Sequence, residues 1–378
     1  MIRGNIHNMD RSKLILNSIG WFLSLFLMVS CFPSGYPMPD SHVEKLPTPI
    51  STKSSSVEIF PEHLSNNQIA TLSSLILVDE YPLYIMHFTG DYNEQVESGY
   101  RSNLEGIRNP TTPTINNWGC SLFATFDVAG RGVCGRNFDW QYSPSLLLFT
   151  YPSDGYASVS MVNLAFLHNW GDDVVALTDL PLDVREPLLR APWLPIDGMN
   201  EHGLVVGMAA VPHCVALLDP NKETVGSLAI IRELLDHAKN VNEAIELLER
   251  FNIDWGGGPP LHYLVSDRNG ESALIEFLED KMTIIKNDQP WHLATNFLVA
   301  SASDPAEGKC WRYDLISQSL NEVRGILNMD ESMDLLEMVS QPGTQWSIVY
   351  GIYDGDIHLS LGRDYDRVYN FKLSRKIE

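Results

Sequence analysis

The stretch Trp118–Trp140, WGCSLFATFDVAGRGVCGRNFDW, decides how the rest of the chain is read. Gly119 and Cys120 stand near its start, and the apolar-rich run SLFATF follows at once. Asp127–Gly132 then breaks any regular period with Asp, Ala and Gly, a turn composition. A second short run ends in Gly135-Arg136-Asn137-Phe138-Asp139-Trp140. Two strands joined by a few residues pair antiparallel, so the spacing predicts a hairpin whose ends meet. Arg136 and Asp139 are thereby expected beside Cys120. A cation there favours the thiolate, and a thiol so placed can act as a nucleophile. Taken singly, each residue has a plainer reading. A lone Cys among apolar neighbours is more often a small buried hydrophobe, and an Arg–Asp pair more often a surface ion pair.

Arg136 follows Cys120 by 16 residues and Asp139 follows it by 19. With the wording GRNFDW, this spacing resembles the N-terminal-nucleophile (Ntn) hydrolases of the choloylglycine hydrolase family, in which a Cys opens the mature chain. The likeness runs from Trp118 to the C-terminus, through NEHGL at 200–204, HYLVSD at 262–267, ATNF at 294–297 and WRYD at 311–314, in the family's order. It implies an α+β fold, the Ntn-hydrolase αββα sandwich of two stacked antiparallel sheets between helical layers. It also implies that residues 57–119 form a propeptide cut from the nucleophile by self-cleavage, after which it either stays associated or is lost.

If the Gly119–Cys120 bond is cut, Cys120 gains an α-amine with an unperturbed pKa of about 7.7 to 8.0, so the thiol's base is its own backbone nitrogen. Gly119 suits the step because it lets the backbone adopt a strained geometry and leaves the scissile carbonyl accessible. Asp139 is expected to accept a hydrogen bond from that amine, and Arg136 to sit near the sulfur and neutralise Asp139. Asn296 matches the family's oxyanion donor, although an Asn in a turn would serve equally as a turn former. Arg312 resembles the family's second active-site Arg, against the alternative of a helix-surface Arg. The bile salt branch carries a second oxyanion Asn where this chain has Ala210, so only the Ala210 backbone N–H is on offer there. That departure puts the bile salt preference in doubt.

The totals exclude several classes. A formal net charge of −22 and the lack of any Lys/Arg cluster argue against nucleic acid as a partner. Five cysteines, an odd number with no CxxC pair, argue against a zinc site or a disulfide scaffold, and the histidines show no ligand spacing; no cofactor or metal is expected. Arg11 and Lys13 precede an apolar run ending at Ser30-Cys31, which reads as an export signal over residues 1–31. Met28-Val29-Ser30-Cys31 resembles a lipobox, so a membrane tether through lipidated Cys31 is expected, with ordinary cleavage and release as the alternative. Residues 32–56 have the Pro/Ser composition of a linker. The catalytic domain is then 120–378, extracellular or anchored on the outer side, and a homo-oligomer is compatible with it.

Within that domain SPSLLLFTYP and DGYASVSMVNLAFL read as buried strands, and 172–197 as an acidic, Pro-rich excursion. Ser227 is expected to cap a helix through LAIIRELLDHA, with a second helix over Val241–Phe251. HYLVSD-RNG-ESALIEF is a hairpin with an Asn-Gly turn, followed by a third strand in DKMTIIKN. Residues 310–340 read as helices, and SIVYGIYDGDIHLSLG as a hairpin turning at Asp354-Gly355. Gly130–Gly135 fits G-x-G-x-x-G but leads into RNFDW rather than a helix, and His213 next to Cys214 cannot pair with it along one strand. The reading is an exported, self-processed amidase that cleaves a linear, non-peptide C–N bond of an N-acylated small amine through a thioester. Trp140, Phe138 and the Trp193 loop are candidate pocket linings. The alternatives are an acyltransferase using the same acyl-enzyme, or an unprocessed lipoprotein that only binds a ligand.

Overall fold

In the computed structural model, the described residues are 61–92, 119–168, 176–212, 218–256, 258–278, 281–301 and 309–374. The expected export signal, linker and Cys31, as well as Trp118, His213 and Cys214, lie outside them. All described residues fall within the unit Glu58–Glu378.

The first helix among the described residues is α1 (Asn66–Ser73), held at its start by a capping box of Ser65 and Gln68. Strands β1 (Ile76–Asp79) and β2 (Leu83–Phe88) follow it, as the apolar runs require. The expected hairpin is β3 (Gly119–Phe126) and β4 (Gly132–Asp139). Two buried runs give β5 (Ser145–Thr150) and β6 (Ser158–Asn163). Residues 186–193 of the acidic excursion wind as a 3₁₀ segment, and β7 (Pro195–Asn200) takes its last residues into the sheet, so the excursion ends earlier than expected. Next come β8 (Val205–Ala210), β9 (Glu223–Gly226), α2 (Ala229–His237) and α3 (Val241–Leu248). The remaining elements are β10 (Phe251–Asp254), β11 (Leu261–Ser266), β12 (Ser272–Leu278), β13 (Lys281–Lys286) and β14 (His292–Ala294). After them follow α4 (Trp311–Glu322), α5 (Met329–Met338), β15 (Thr344–Gly351), β16 (Asp356–Leu361) and β17 (Tyr369–Lys372).

Two expectations about helix ends are corrected. Leu228, not Ser227, stands at the start of α2 and makes no side-chain cap, while the Ser227 carbonyl accepts a hydrogen bond from the Tyr263 hydroxyl at 2.8 Å. The second helix stops at Leu248, because Phe251–Asp254 pair parallel with β9. Helical spacing ran on through Phe251 in the sequence, and tertiary pairing overrode it.

Two sheets organise these elements. The first runs β1-β2-β5-β6-β7-β8-β11-β12-β13 and the second β14-β3-β4-β15-β16-β17. Within these two sheets pairing is antiparallel except between β2 and β5, so the first sheet is mixed rather than purely antiparallel. Residue parity then assigns the faces, since alternate residues of a strand point to opposite sides. Cys120, Leu122, Cys134 and Phe138 share one apolar cluster with Leu147, Val206 and Leu264 of the first sheet. Phe123 and Val133 belong to another cluster, with Ile316, Leu320 and Leu336 of α4 and α5. Even-numbered residues of the hairpin therefore face the opposite sheet, and odd-numbered ones face the helices. A Cβ at Gly207 of β8 would overlap the Leu122 side chain, which is how closely the sheets approach. On the far side, α2 lies over β7, where a Cβ on Gly198 would crowd Leu235. Helices, sheet, sheet, helices: the fold is the αββα sandwich of the α+β class.

The segment before the nucleophile is built into this core. Leu72, Leu83 and Met86 are fully buried, and β2 pairs with β5 along its whole length. The Tyr84 hydroxyl accepts the Leu177 N–H at 3.0 Å, and Arg185 donates to the Leu72 carbonyl at 3.3 Å. Removing it would uncover the β5 edge and the apolar side chains on it.

Candidate active site

Cys120 lies at the start of β3, one residue after Gly119, and its residue is 4% exposed. Its three polar atoms are met by three side chains from β4, α4 and the stretch after β14. The backbone N–H donates to Asn296 Oδ1 at 2.7 Å. Arg136 Nη2 lies 3.7 Å from Sγ. Arg312 Nη1 donates to the Cys120 carbonyl and also to Ser121 Oγ at 3.0 Å, while its Nη2 donates to Asn296 Oδ1 at 2.9 Å.

The local cause is where β14 stops. It pairs with β3 through Ala294↔Leu122 and ends there, two residues short of Cys120. An antiparallel ladder turns the N–H and C=O of one residue to the same side. Where the next rung would be, Asn296 and Arg312 supply side chains in place of backbone. Asn296 is itself fixed by Nδ2, which donates to the Ala210 carbonyl at 2.9 Å. Arg312 reaches in from the first turn of α4 and is buried, which rules out the reading as a helix-surface Arg.

The partners of Asp139 and Arg136 differ from those expected. Asp139 does not accept from the Cys120 nitrogen: its carboxyl takes the Thr344 hydroxyl at 2.6 Å and the Gln341 amide. Parity explains it. Asp139 is three residues from Arg136, an odd step, so it faces the helices and sits across from Gly119 rather than over the sulfur. A Cβ at 119 would overlap both the Gln341 carboxamide and the Asp139 carboxyl, so a larger residue there must push those two side chains aside. Arg136, for its part, forms its ion pair with Asp197 and acts on Asp139 only through space. Ala210 contributes its carbonyl, which holds Asn296. Among the expected linings, Trp193 is buried edge-on against Tyr92 at 5.6 Å and Phe138 is stacked on Trp346 at 4.2 Å. Trp140 alone of the three keeps partial exposure.

Asp197 escaped the sequence reading. It sits on the inner face of β7, takes Arg136 Nη1, Trp346 Nε1 at 3.3 Å and the Tyr350 hydroxyl, and is almost wholly buried. The signal available was a carboxylate inside an otherwise apolar buried strand, since such a charge needs a partner. Burial works against the Arg136 guanidinium, but Asp197 and the Cys120 sulfur outweigh it and leave its pKa raised. Burial pushes the Asp139 carboxyl up despite the Thr344 and Gln341 hydrogen bonds. Asn200 shapes the turn after β7, accepting from His202 and Leu204 N–H at 3.1 Å each, and ties it to α2 by donating to the Leu235 and Ala238 carbonyls. Among the described residues no cluster of His, Cys, Asp and Glu has metal-binding geometry.

Residues 120–296 match the family of linear amide C–N hydrolases, choloylglycine hydrolase family. An uncharacterized protein of Paramecium bursaria Chlorella virus 1 is 30% identical over 110 residues, covering 27% of this chain and 39% of that protein. The chain thus spans about two fifths of the length of the curated relative it matches. Among solved structures, a mutant of the conjugated bile acid hydrolase from Clostridium perfringens is 16% identical with a TM-score of 0.49, covering 68% of this chain and 95% of that one. Penicillin V acylase from Agrobacterium tumefaciens is 16% identical with a TM-score of 0.46, covering 67% and 86%.

Proposed function

With residues 120–296 matching that family, we propose that the chain is a self-processed cysteine Ntn hydrolase of linear, non-peptide amides. The observation that carries the reading is the convergence of Asn296, Arg136 and Arg312 on the nitrogen, sulfur and oxygen of Cys120.

Maturation comes first. The Cys120 thiol attacks the Gly119 carbonyl, the Gly119–Cys120 C–N bond breaks, and the acyl group passes to sulfur. Water hydrolyses this thioester, leaving the Gly119 carboxylate and a free Cys120 amine. Asn296 Oδ1, which accepts the Cys120 N–H, is positioned to keep that nitrogen in place once it is an amine. In turnover the amine takes the thiol proton, and Arg136 faces the resulting thiolate. Sulfur attacks the substrate carbonyl, and the second N–H of Asn296 Nδ2 can donate to the oxyanion. The C–N bond breaks, the amine leaves with the proton, and water releases the acid from the thioester.

The substrate class is an N-acylated small amine, and the partly exposed Trp140 is the candidate lining for its acyl or aryl group. An amine replacing water at the thioester would make the same site an acyltransferase. Export and a lipid tether at Cys31 stay part of the proposal. The test is a panel of N-acyl amides assayed with purified protein beside Cys120→Ala. Loss of turnover in the variant supports the assignment, and retained turnover contradicts it.

A further inference from the structure

We propose that His262 and Glu276 are positioning residues for Cys120, holding the Asn296 loop from the side of the first sheet; this rests on the nucleophile reading above. Both are fully buried, and neither has a part in the steps just described. They face one another across β11 and β12, one rung beyond the pair Tyr263↔Ile275. His262 also pairs with Ala209 of β8, an inner-face position two residues from Gly207. The dyad therefore points into the space between the sheets, next to Ala210, whose carbonyl holds Asn296.

Its grip on the loop is direct. Glu276 Oε1 accepts the Val299 N–H at 2.8 Å, and Oε2 accepts the Ala300 N–H at 2.9 Å. These amides lie three and four residues past Asn296, in a stretch that belongs to no helix or strand. Backbone N–H groups in such a stretch need an outside partner, and here one buried carboxyl provides for two. His262 Nδ1 lies 3.1 Å from Oε1 and orients that carboxyl. The other ring nitrogen, Nε2, is buried with no hydrogen-bond partner among the described residues. A pair that served only packing would be better replaced by apolar side chains of the same volume. Retaining it at the cost of an unmatched polar atom fits a device that fixes the loop. Arg312 holds Asn296 from one side, and the loop that Glu276 anchors holds it from the other.

The experiment compares Glu276→Gln, His262→Asn and His262→Ala with the unaltered chain. Three quantities are read on each: kcat and KM on the amide panel, the rate at which iodoacetamide alkylates Cys120 (located by mass spectrometry), and the melting curve. Glu276→Gln keeps the volume but sets an amide N–H₂ against one of the two loop N–H groups. We expect kcat to fall about tenfold or more with KM within about threefold, since small misplacements of reacting groups act on the chemical step. The alkylation rate should change in step. His262→Asn places an N–H close to that of Nδ1 and should keep within about threefold of the original kcat, whereas His262→Ala should fall with Glu276→Gln. If Glu276→Gln fails to fold, the two His262 variants decide. Folded variants with the original kcat and alkylation rate, or with a change in KM alone, would overturn the inference. If the unaltered chain hydrolyses nothing, the nucleophile reading fails, and the alkylation rates still test the positioning.

Discussion

Cys120 and Cys134 stand on the same hairpin, face the same sheet and are both buried, yet only one of them has the surroundings of a nucleophile. Cys134 lies mid-strand opposite Ala124, and burial pushes its thiol up to about 12. Its ladder neighbours are backbone on both sides. At Cys120 the neighbouring strand has run out, and polar side chains occupy the vacant rung. Burial alone makes a thiol inert. What separates the two ends is that the end of β14 lets Asn296 and Arg312 reach the backbone of Cys120 while Arg136 reaches its sulfur.

The comparison can be broken at several points. Cys120→Ala should abolish both cleavage at 119/120 and amide hydrolysis, a loss of about 10⁴-fold or more, seen by intact mass and turnover. Asn296→Ala should cost about 10²–10³-fold in kcat, because it removes both the acceptor for the Cys120 nitrogen and an oxyanion donor. Gly119→Ala forces Gln341 and Asp139 aside and should slow self-cleavage about 10²-fold, measured as the rate at which the precursor band disappears. Cys134→Ala sharpens the contrast from the other end: activity within about threefold and a stability loss of about 1 kcal/mol by thermal melting. A last effect, of similar size but confined to one pH range, is remote from both thiols. Burial acts to raise the Asp79 carboxyl, but the Tyr369 hydroxyl, the Tyr81 N–H and Arg367 outweigh it and leave it lowered. A lowered carboxyl contributes stability that is present above the ordinary carboxylate range and lost as pH falls through its folded value. Asp79→Asn should therefore cost about 1 kcal/mol near neutral pH and nothing in acid, where the unaltered chain has lost the same contribution. Melting curves at the two pH values read it.

Much of this was legible in the sequence because it is local or periodic. The Gly119–Asp139 hairpin and the Asn269-Gly270 turn that joins Leu261–Ser266 to Ser272–Leu278 each depend on a few adjacent residues. The residues meeting at Cys120 were also legible, through spacing and family wording. Their contacts were not. Spacing along the hairpin brought Arg136 and Asp139 to the right end, but only strand parity assigns them to opposite faces. Asp197 is invisible to local pattern, since its partners Arg136, Trp346 and Tyr350 come from two strands of the other sheet. The parallel pairing of β2 with β5 crosses the segment that holds the nucleophile, and no short-range signal encodes it.

The account rests on a cut that makes Cys120 its own base. The most direct test is the intact mass of the purified, active protein, read together with its rate of amide hydrolysis. A fragment beginning at Cys120 that accompanies the activity is the expected result. A chain still continuous through Gly119–Cys120 and hydrolysing amides at full rate would contradict it.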